Sequence, residues 1–134
     1  MTCKRYSGFF GMKHDEANFQ VGVVRFLRSQ GHYVFAVPNG GSRNLREAVN
    51  LKAQGVMAGV SDLIVLLPNK KVYFIEIKNP NGKGRQSPAQ REFEDNVRAH
   101  GHEYLIWDNW TQVEQFINAH REEVANYMGV GGSN

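Results

Sequence analysis

Two apolar runs joined by a short turn constrain the fold of this 134-residue chain more than any other feature. The first run, Leu63–Leu67, follows Asp62, and the second lies within Lys71–Lys78, with Pro68-Asn69-Lys70 between them. A turn of this length between two apolar runs predicts a β-hairpin. Because successive positions are apolar, both faces of each strand are expected to be buried, as in the central strands of a covered sheet.

The flanking sequence predicts four helices and two further strands around this hairpin. Apolar residues at helical spacing, helix-capping residues and glycine stops define these segments. Helices are predicted over Lys13–Ser29, Asn44–Gln54, Ser87–His100 and Trp110–Tyr127, and strands over His32–Val37 and Glu103–Trp107. The order helix, strand, helix, hairpin, helix, strand, helix predicts an α/β fold in which helices flank a mixed sheet.

Length and composition predict one globular domain over residues 1–134, with its core at about 13–127 and flexible ends. Apolar residues make up 41% of the chain, and no run is long enough to span a membrane. Cys3 is the only cysteine, which excludes an internal disulfide and a cysteine-based zinc site and fits a reducing compartment such as the cytoplasm. The net charge of +3 permits a polyanionic partner.

Charged residues stand at one end of the otherwise apolar hairpin. Asp62 opens the first strand, and Glu76 and Lys78 close the second. A turn centred near Asn69 and Lys70 places Asp62 opposite Glu76, and residues two apart on a strand share a face. The three charged groups are therefore predicted to converge at one corner of the sheet.

Two opposed carboxylates repel each other unless a cation lies between them. Oxygen ligands suit Mg²⁺ or Mn²⁺, and a nearby lysine is placed to contact a phosphate or an attacking water. This set of groups is typical of phosphodiester hydrolysis. Two alternatives fit the same residues: a surface salt bridge between Lys78 and the carboxylates at this strand end, or Asp62 simply starting its strand after the Gly59-Val60-Ser61 turn.

Asp62 followed by Glu76-Ile77-Lys78 resembles the PD-(D/E)xK nuclease signature. The surrounding motifs make the resemblance more specific, and their succession from about Glu16 to about Trp107 is similar to the VRR-NUC branch of that superfamily. One departure is Ser61, which stands where the signature has proline. The motifs are, in order, Pro38-Asn39-Gly40-Gly41, Lys52-Ala53-Gln54-Gly55-Val56, Gly59-Val60-Ser61-Asp62-Leu63, Glu76-Ile77-Lys78 and Ser87-Pro88-Ala89-Gln90.

The resemblance implies a restriction-endonuclease-like fold and a nuclease that uses Mg²⁺ or Mn²⁺. It implies that Asp62, Glu76 and the carbonyl of Ile77 are metal ligands and that Lys78 is catalytic. Members of the family cut DNA, often at branched or flap structures. Small stand-alone versions look like Holliday-junction resolvases, which act as homodimers, and a source in a phage or bacterium would fit.

Two further residues gain a role from the resemblance. Glu16 matches the acidic residue of the first helix, where it would reach the metal directly or through water. Its alternative is a carboxylate that stabilises the first turn of a helix. Gln90 matches the polar residue of the helix after the lysine strand, where it would hold Lys78 or the nucleophilic water. Its alternative is an exposed glutamine without a role.

Basic residues in two glycine-rich neighbourhoods are the candidates for phosphate contacts. Glycine lets the main chain approach a phosphate closely, and mobile basic loops suit a nucleic-acid backbone. For each of these residues the alternative is a solvated surface charge. The candidates are Arg43, Arg46, Lys52, Lys83 and Arg85.

The charged residues of the hairpin predict a nuclease with no membrane partner, and the resemblance implies that it is a structure-directed DNA endonuclease that acts as a homodimer, in the cytoplasm of a bacterium or of a phage-infected host. A non-catalytic nucleic-acid-binding module, or an inhibitor of a partner nuclease, on the same scaffold is the alternative from another class. RNA or a free 5′ flap is the alternative substrate. The sequence does not separate these substrates.

Overall fold

A computed structural model of the chain describes residues 2–38 and 44–132, with side chains over 15–38 and 44–127. Four strands form one sheet in the order β1-β2-β3-β4, in which β1, β2 and β3 are antiparallel and β4 runs parallel to β3. The strands are β1 (Tyr33–Ala36), β2 (Leu63–Leu67), β3 (Lys71–Ile77) and β4 (Glu103–Trp107), and the helices are α1 (Thr2–Ser29), α2 (Leu45–Ala53), α3 (Pro88–Ala99) and α4 (Trp110–Gly132). The predicted mixed α/β sheet is confirmed.

The hairpin of β2 and β3 occupies the centre of the sheet, as its apolar pattern predicts. The expectation that both faces of each strand are buried is wrong for the face that carries Leu66, which is 42% exposed because, among the described residues, no helix covers this part of the sheet. Leu63 pairs with Ile75 and Leu67 pairs with Lys71. The turn is closed by Asn69 and Lys70 in the left-handed region, with φ values of 65° and 67°. Asparagine tolerates this conformation better than most residues do, so the turn fixes the register at modest cost.

The hydrophobic core lies between one face of the sheet and helices α1 and α4. Leu63, Val65 and Ile75 on this face are fully buried. Phe116 of α4 packs against Trp107 of β4, with ring centroids 5.3 Å apart. This layer is built because alternate strand residues point to the same side and meet the apolar stripes of both helices.

The opposite face of the sheet carries α3. Phe93 on this helix contacts Phe74 of β3 and Tyr104 of β4, with ring centroids 5.7 and 6.2 Å apart. Ser87 caps the helix and Pro88 occupies its first turn, as the sequence predicts. The first turn of α3 is thereby anchored beside the end of β3.

Two helices are longer than the sequence predicted. The first begins at Thr2 rather than at Lys13, and the last ends at Gly132 rather than at Tyr127. The glycines near both ends do not stop these helices, because single glycines weaken a helix that is already propagating without ending it. Among the described residues, no helix combines the length and apolar character that crossing a membrane requires.

Candidate active site

Asp62 and Glu76 lie side by side where β2 begins and β3 ends. The pairing of Leu63 with Ile75 places the next two residues, Asp62 and Glu76, opposite each other. Directly opposed residues point to the same face of the sheet. Asp62 Oδ2 also accepts a hydrogen bond of 2.7 Å from the N–H of Ile77, which fixes the carboxylate at this corner.

Glu76 is buried, with 2% of its surface exposed. Burial, followed by the negative charge of Asp62 and a hydrogen bond with that carboxylate, raises the pKa of its carboxyl group to about 8. Lys78 and the Tyr104 hydroxyl act in the opposite direction. The alternative of a surface ion pair is therefore wrong for Glu76, because this side chain is buried and lies beside a second carboxylate, Asp62.

Lys78 follows β3 and points to the same corner. Its Nζ lies 3.9 Å from Glu76 Oε2. The ammonium group donates hydrogen bonds of 2.9 Å to the carbonyl of Arg85 and 3.0 Å to Oε1 of Gln90. The side chain is 13% exposed, so the positive charge is held by fixed partners close to the carboxylates.

Gln90 connects the two charged groups from the first turn of α3. Its Nε2 donates a hydrogen bond of 2.7 Å to Glu76 Oε2, while its Oε1 accepts from Lys78. The same Oε1 accepts from the N–H of Ser87 at 2.8 Å, which closes a capping box. The alternative of an exposed glutamine is wrong, because the side chain is partly buried and both of its polar atoms have a partner at the site.

Glu16 approaches this corner from α1. Burial raises the pKa of its carboxyl group, the charge of Asp62 raises it further, and Lys78 lowers it. Because α1 begins at Thr2, Glu16 lies well inside the helix, so the alternative of a carboxylate in the first turn is wrong. The structure thus brings Glu16 within electrostatic range of Asp62 and Lys78.

The candidate phosphate-binding residues fall into two groups. Lys83 and Arg85 lie in the loop after β3, which the hydrogen bond from Lys78 to the Arg85 carbonyl draws toward the carboxylates. Arg46 and Lys52 lie on α2, a helix without a buried residue. Arg43 lies outside the described residues.

Tyr104 is a site residue that sequence reasoning did not identify. Its hydroxyl lies 3.4 Å from Glu76 Oε1, and Gln86 Nε2 lies 3.4 Å from the same hydroxyl. Tyr104 belongs to β4, whose parallel pairing with β3 sets Phe74 beside Tyr104. No local signal gives the register between two strands that a helix separates, so this contact was not predictable from the sequence.

The carboxylate and carbonyl oxygens at this corner form a partial set of ligands for a divalent cation. Among the described residues, no three His, Cys, Asp or Glu side chains stand together as a ready metal cluster. Asp62 and Glu76 do form a close carboxylate pair, and the backbone of Ile77 lies between Glu76 and Lys78. A buried like-charge pair is stabilised when a cation binds it, so these residues fit a hard divalent metal.

Comparison with known proteins agrees with the motifs. The family model described as the VRR-NUC domain matches residues 16–108. A solved structure named VRR_NUC domain protein is 22% identical with a TM-score of 0.62, and the match covers 83% of this chain and 88% of that one. A second, named VRR_NUC domain, is 19% identical with a TM-score of 0.56, and the match covers 78% of this chain and 95% of that one. No curated protein matches the sequence.

At these identities the solved structures show a shared fold, and the family match carries the classification. The match spans more than half of the 134 residues and includes Asp62, Glu76, Lys78 and Gln90. Its limits agree with the predicted range from Glu16 to Trp107. The chain belongs to the VRR-NUC domain family of the PD-(D/E)xK nuclease superfamily, which implies a nuclease-type function.

Proposed function

We propose that this protein is a metal-dependent endonuclease that hydrolyses phosphodiester bonds of branched DNA, with Asp62, Glu76 and Lys78 as its central residues. The observation that supports this proposal most strongly is the corner where β2 and β3 meet. There, buried Glu76 lies beside Asp62, and Lys78 Nζ lies 3.9 Å from Glu76 Oε2. Burying one carboxylate beside another lowers the stability of the fold, and a module that only binds nucleic acid does not require such a pair.

In this proposal Asp62, Glu76 and the Ile77 carbonyl hold Mg²⁺ or Mn²⁺, and Glu16 reaches the ion directly or through water. When bound, such an ion polarises a phosphoryl oxygen and lowers the pKa of a coordinated water. The raised pKa of Glu76 supports the assignment, because the pair has a repulsion that a divalent cation relieves.

Lys78 is assigned to the phosphate and the attacking water. Its ammonium group has three donors. Among the described residues, the Arg85 carbonyl and Gln90 Oε1 take two of them, which aims the group, and the proposal assigns the third N–H to a substrate or water oxygen. Positive charge fixed in this way stabilises the negative charge that develops on the phosphate in the transition state.

Gln90 is assigned a supporting role. Its amide donates to Glu76 and accepts from Lys78, so it holds the carboxylate and the ammonium group at a fixed spacing. With the bridge in place, Lys78 Nζ stays 3.9 Å from Glu76 Oε2, beyond hydrogen-bond distance. The bridge therefore keeps both groups available, one for the cation and the other for the substrate.

The basic residues are assigned to the DNA backbone. Lys83 and Arg85 are exposed and lie in the loop held next to Lys78, so they would contact phosphates near the bond that is cut. Arg46 on α2 is exposed. Together with Lys52 and Arg43, it would contact the duplex farther from the bond that is cut. Such contacts add affinity without sequence preference.

The proposed preference for branched DNA and the proposed homodimer rest on the family resemblance, and the proposed cytoplasmic location rests on the single cysteine, Cys3. Cutting two strands of a four-way junction symmetrically requires two equivalent active sites, which a homodimer supplies. Sedimentation equilibrium tests the assembly directly. The expected mass is that of two chains, and the mass of one chain would contradict the dimer.

A cleavage assay tests the proposed activity. Four-way-junction, flap, single-stranded and linear duplex DNA, together with an RNA hairpin, are each incubated with Mg²⁺, Mn²⁺ or EDTA. We expect metal-dependent cutting of the junction ahead of the other substrates. Faster cutting of the flap or of RNA would keep the nuclease and change its substrate.

Asp62→Asn separates catalysis from contamination in this assay. The variant removes one carboxylate charge and keeps an oxygen that accepts from the Ile77 N–H, so folding is expected to survive. Asp95→Asn, on α3, is the matched control. Equal cutting by all three proteins would contradict the site, and metal-independent binding without any cutting would favour a binding module.

A further inference from the structure

The loop before Asp62 touches the first turn of α3 main chain to main chain, at Gly59. A Cβ atom at Gly59 would lie 2.4 Å from the carbonyl oxygen of Ala89, 2.5 Å from its carbonyl carbon and 2.8 Å from the backbone nitrogen of Gln90. The φ angle of Gly59 is +88°, which also favours glycine. Because the obstructing atoms belong to the backbone, no change of rotamer could make room for a side chain.

This close approach lies at the residue that bridges the proposed catalytic groups. The N–H of Gln90 donates to Ser87 Oγ at 3.1 Å, and the side chain of Gln90 returns to the N–H of Ser87. Both ends of Gln90 are therefore tied to the first turn of α3. A displacement of this turn therefore also displaces the Gln90 side chain, which connects Glu76 and Lys78.

The same loop also leads into the metal-binding side of the corner. Two residues separate Gly59 from Asp62, of which Ser61 is fully buried and donates to the Leu63 carbonyl at 3.2 Å. Asp62 in turn accepts from the Ile77 N–H. The segment from Gly59 to Asp62 is thus fixed to the hairpin at one end and pressed against α3 at the other.

We propose that Gly59 is a positioning residue that sets the distance between the Asp62 loop and α3 and thereby places Gln90 over Glu76 and Lys78. This inference deepens the proposed function and rests on it. A methyl group at position 59 would push the first turn of α3 away from the hairpin. Displacements of about 1 Å at such a site lower rates by about 100-fold.

Gly59→Ala tests the inference, with Gly101→Ala as the matched control. Gly101 follows the other end of α3 and has a φ of +83°, but a Cβ there meets nothing within 4 Å. Both variants carry the same kind of backbone strain, and only the first has the collision. We expect kcat on the preferred DNA to fall about 10- to 100-fold in Gly59→Ala with KM little changed, and to stay within about threefold in Gly101→Ala.

A double-mutant cycle with Gln90→Ala distinguishes positioning from general damage. If Gly59 acts through Gln90, Gly59→Ala lowers kcat by less than about threefold once Gln90→Ala is present. The full decrease in both backgrounds would overturn the inference.

The side-chain amide signals of Gln90 provide a readout that needs no activity. They are assigned in ¹⁵N spectra by their disappearance in Gln90→Ala. In Gly59→Ala we expect them to move toward the position of a free amide, whereas Gly101→Ala leaves them in place. Unmoved signals in Gly59→Ala would overturn the inference. Moved signals in a protein that cuts no nucleic acid would contradict the nuclease and keep the positioning role.

Ser87→Ala approaches the same turn from the helix side, which keeps the inference testable if Gly59→Ala does not fold. The change removes the hydroxyl that accepts from the Gln90 N–H, and removing such a cap costs about 1 kcal/mol, which the fold is expected to tolerate. The same movement of the Gln90 signals and a fall in kcat are expected. Wild-type signals and kcat would count against the positioning of Gln90 by this turn.

Discussion

Glu76 combines deep burial with a negatively charged neighbour, so its charge opposes folding when no cation is bound. The pKa of the group in the folded protein is about 8, above the ordinary value of 4.5. A carboxyl group whose pKa is raised by folding favours the native state most at low pH. Its contribution is lost progressively as the pH rises from about 4.5 to about 8.

Glu76→Gln is therefore expected to raise the free energy of unfolding of the metal-free protein by about 1–3 kcal/mol at pH 8. The amide retains an oxygen for the hydrogen bond from Gln90 and carries no charge. Chemical denaturation in EDTA measures the difference. Glu92→Gln on α3 is the control, and a metal-free Glu76→Gln protein less stable than wild type would contradict this explanation.

The same variant tests cation binding through thermal stability. Mg²⁺ in excess of its dissociation constant should raise the Tm of the wild type by mass action. The rise should be largely abolished in Glu76→Gln and kept in Glu92→Gln. An equal rise in both variants would place the cation elsewhere.

His32 is a second residue that makes the stability of the folded protein depend on pH. It is far from the carboxylate pair in sequence and packs against Phe116. It is 5% exposed, and its Nδ1 has no hydrogen-bond partner among the described residues. Burial lowers the pKa of His32 below 6.5, the positive charge of His120 lowers it further, and Glu123 raises it. A lowered histidine pKa means that the stability from neutral His32 is complete above pH 6.5 and is lost as the pH falls below it.

His32→Phe should therefore lose less stability than the wild type between about pH 7.5 and about pH 5. The phenylalanine ring keeps the contact with Phe116 and cannot be protonated. Urea denaturation at both pH values gives the comparison, and His102→Gln, an exposed histidine, is the control. Parallel decreases in His32→Phe and wild type would show that His32 is not responsible.

At the scale of elements, the part of the site on the hairpin of β2 and β3 was predictable from the sequence. Its strands are adjacent in sequence, so the turn at Asn69 and Lys70 was enough to place Asp62 opposite Glu76. Gln90 could be placed in the first turn of α3 because Ser87 and Pro88 mark the start of that helix. These features depend on local sequence, where propensity and capping act.

The remaining parts of the site depend on packing between distant segments. Tyr104 reaches Glu76 through a parallel pairing, and Gly59 meets α3 through a close approach of two backbones. The approach of Glu16 to Asp62 was supplied by family resemblance rather than by any local pattern. Nothing in the periodicity of one strand or helix encodes where a separate element will pack.

Helix α2 is the element whose role is tested most simply, because none of its residues is buried. We expect Arg46→Gln combined with Lys52→Gln to weaken DNA binding several-fold and to reduce the salt slope by about 1 for each phosphate that the variant no longer neutralises. Fluorescence anisotropy at several salt concentrations measures both quantities. Folding should be unaffected, since both side chains are exposed.

A matched pair with the same change of net charge controls for long-range attraction. Lys71→Gln combined with Arg121→Gln removes two positive charges at exposed positions on β3 and α4. If this pair weakens binding as much as the pair on α2 does, general electrostatics rather than contact by α2 explains the affinity.

At the scale of the whole molecule, one face of the sheet forms the hydrophobic core and the other supports the candidate active site. One face packs against α1 and α4 and forms the core, which includes Val65 and Ile75. The other carries α3, whose first turn reaches the corner that holds Asp62 and Glu76. Because the carboxylates stand at the adjacent ends of the two central strands, where Asp62 also accepts from the Ile77 N–H, the sheet fixes their positions, as a preorganised site requires.

The most direct test of the central claim is single-turnover cleavage of the preferred DNA by Lys78→Ala and Lys71→Ala in Mg²⁺. The two lysines lie at opposite ends of β3, but Lys78 faces the carboxylates and Lys71 forms an exposed ion pair with Glu123. We predict that Lys78→Ala cuts at least about 100-fold more slowly than wild type and that Lys71→Ala cuts at the wild-type rate. Equal rates for the two variants would contradict the assignment of catalysis to this corner of the sheet.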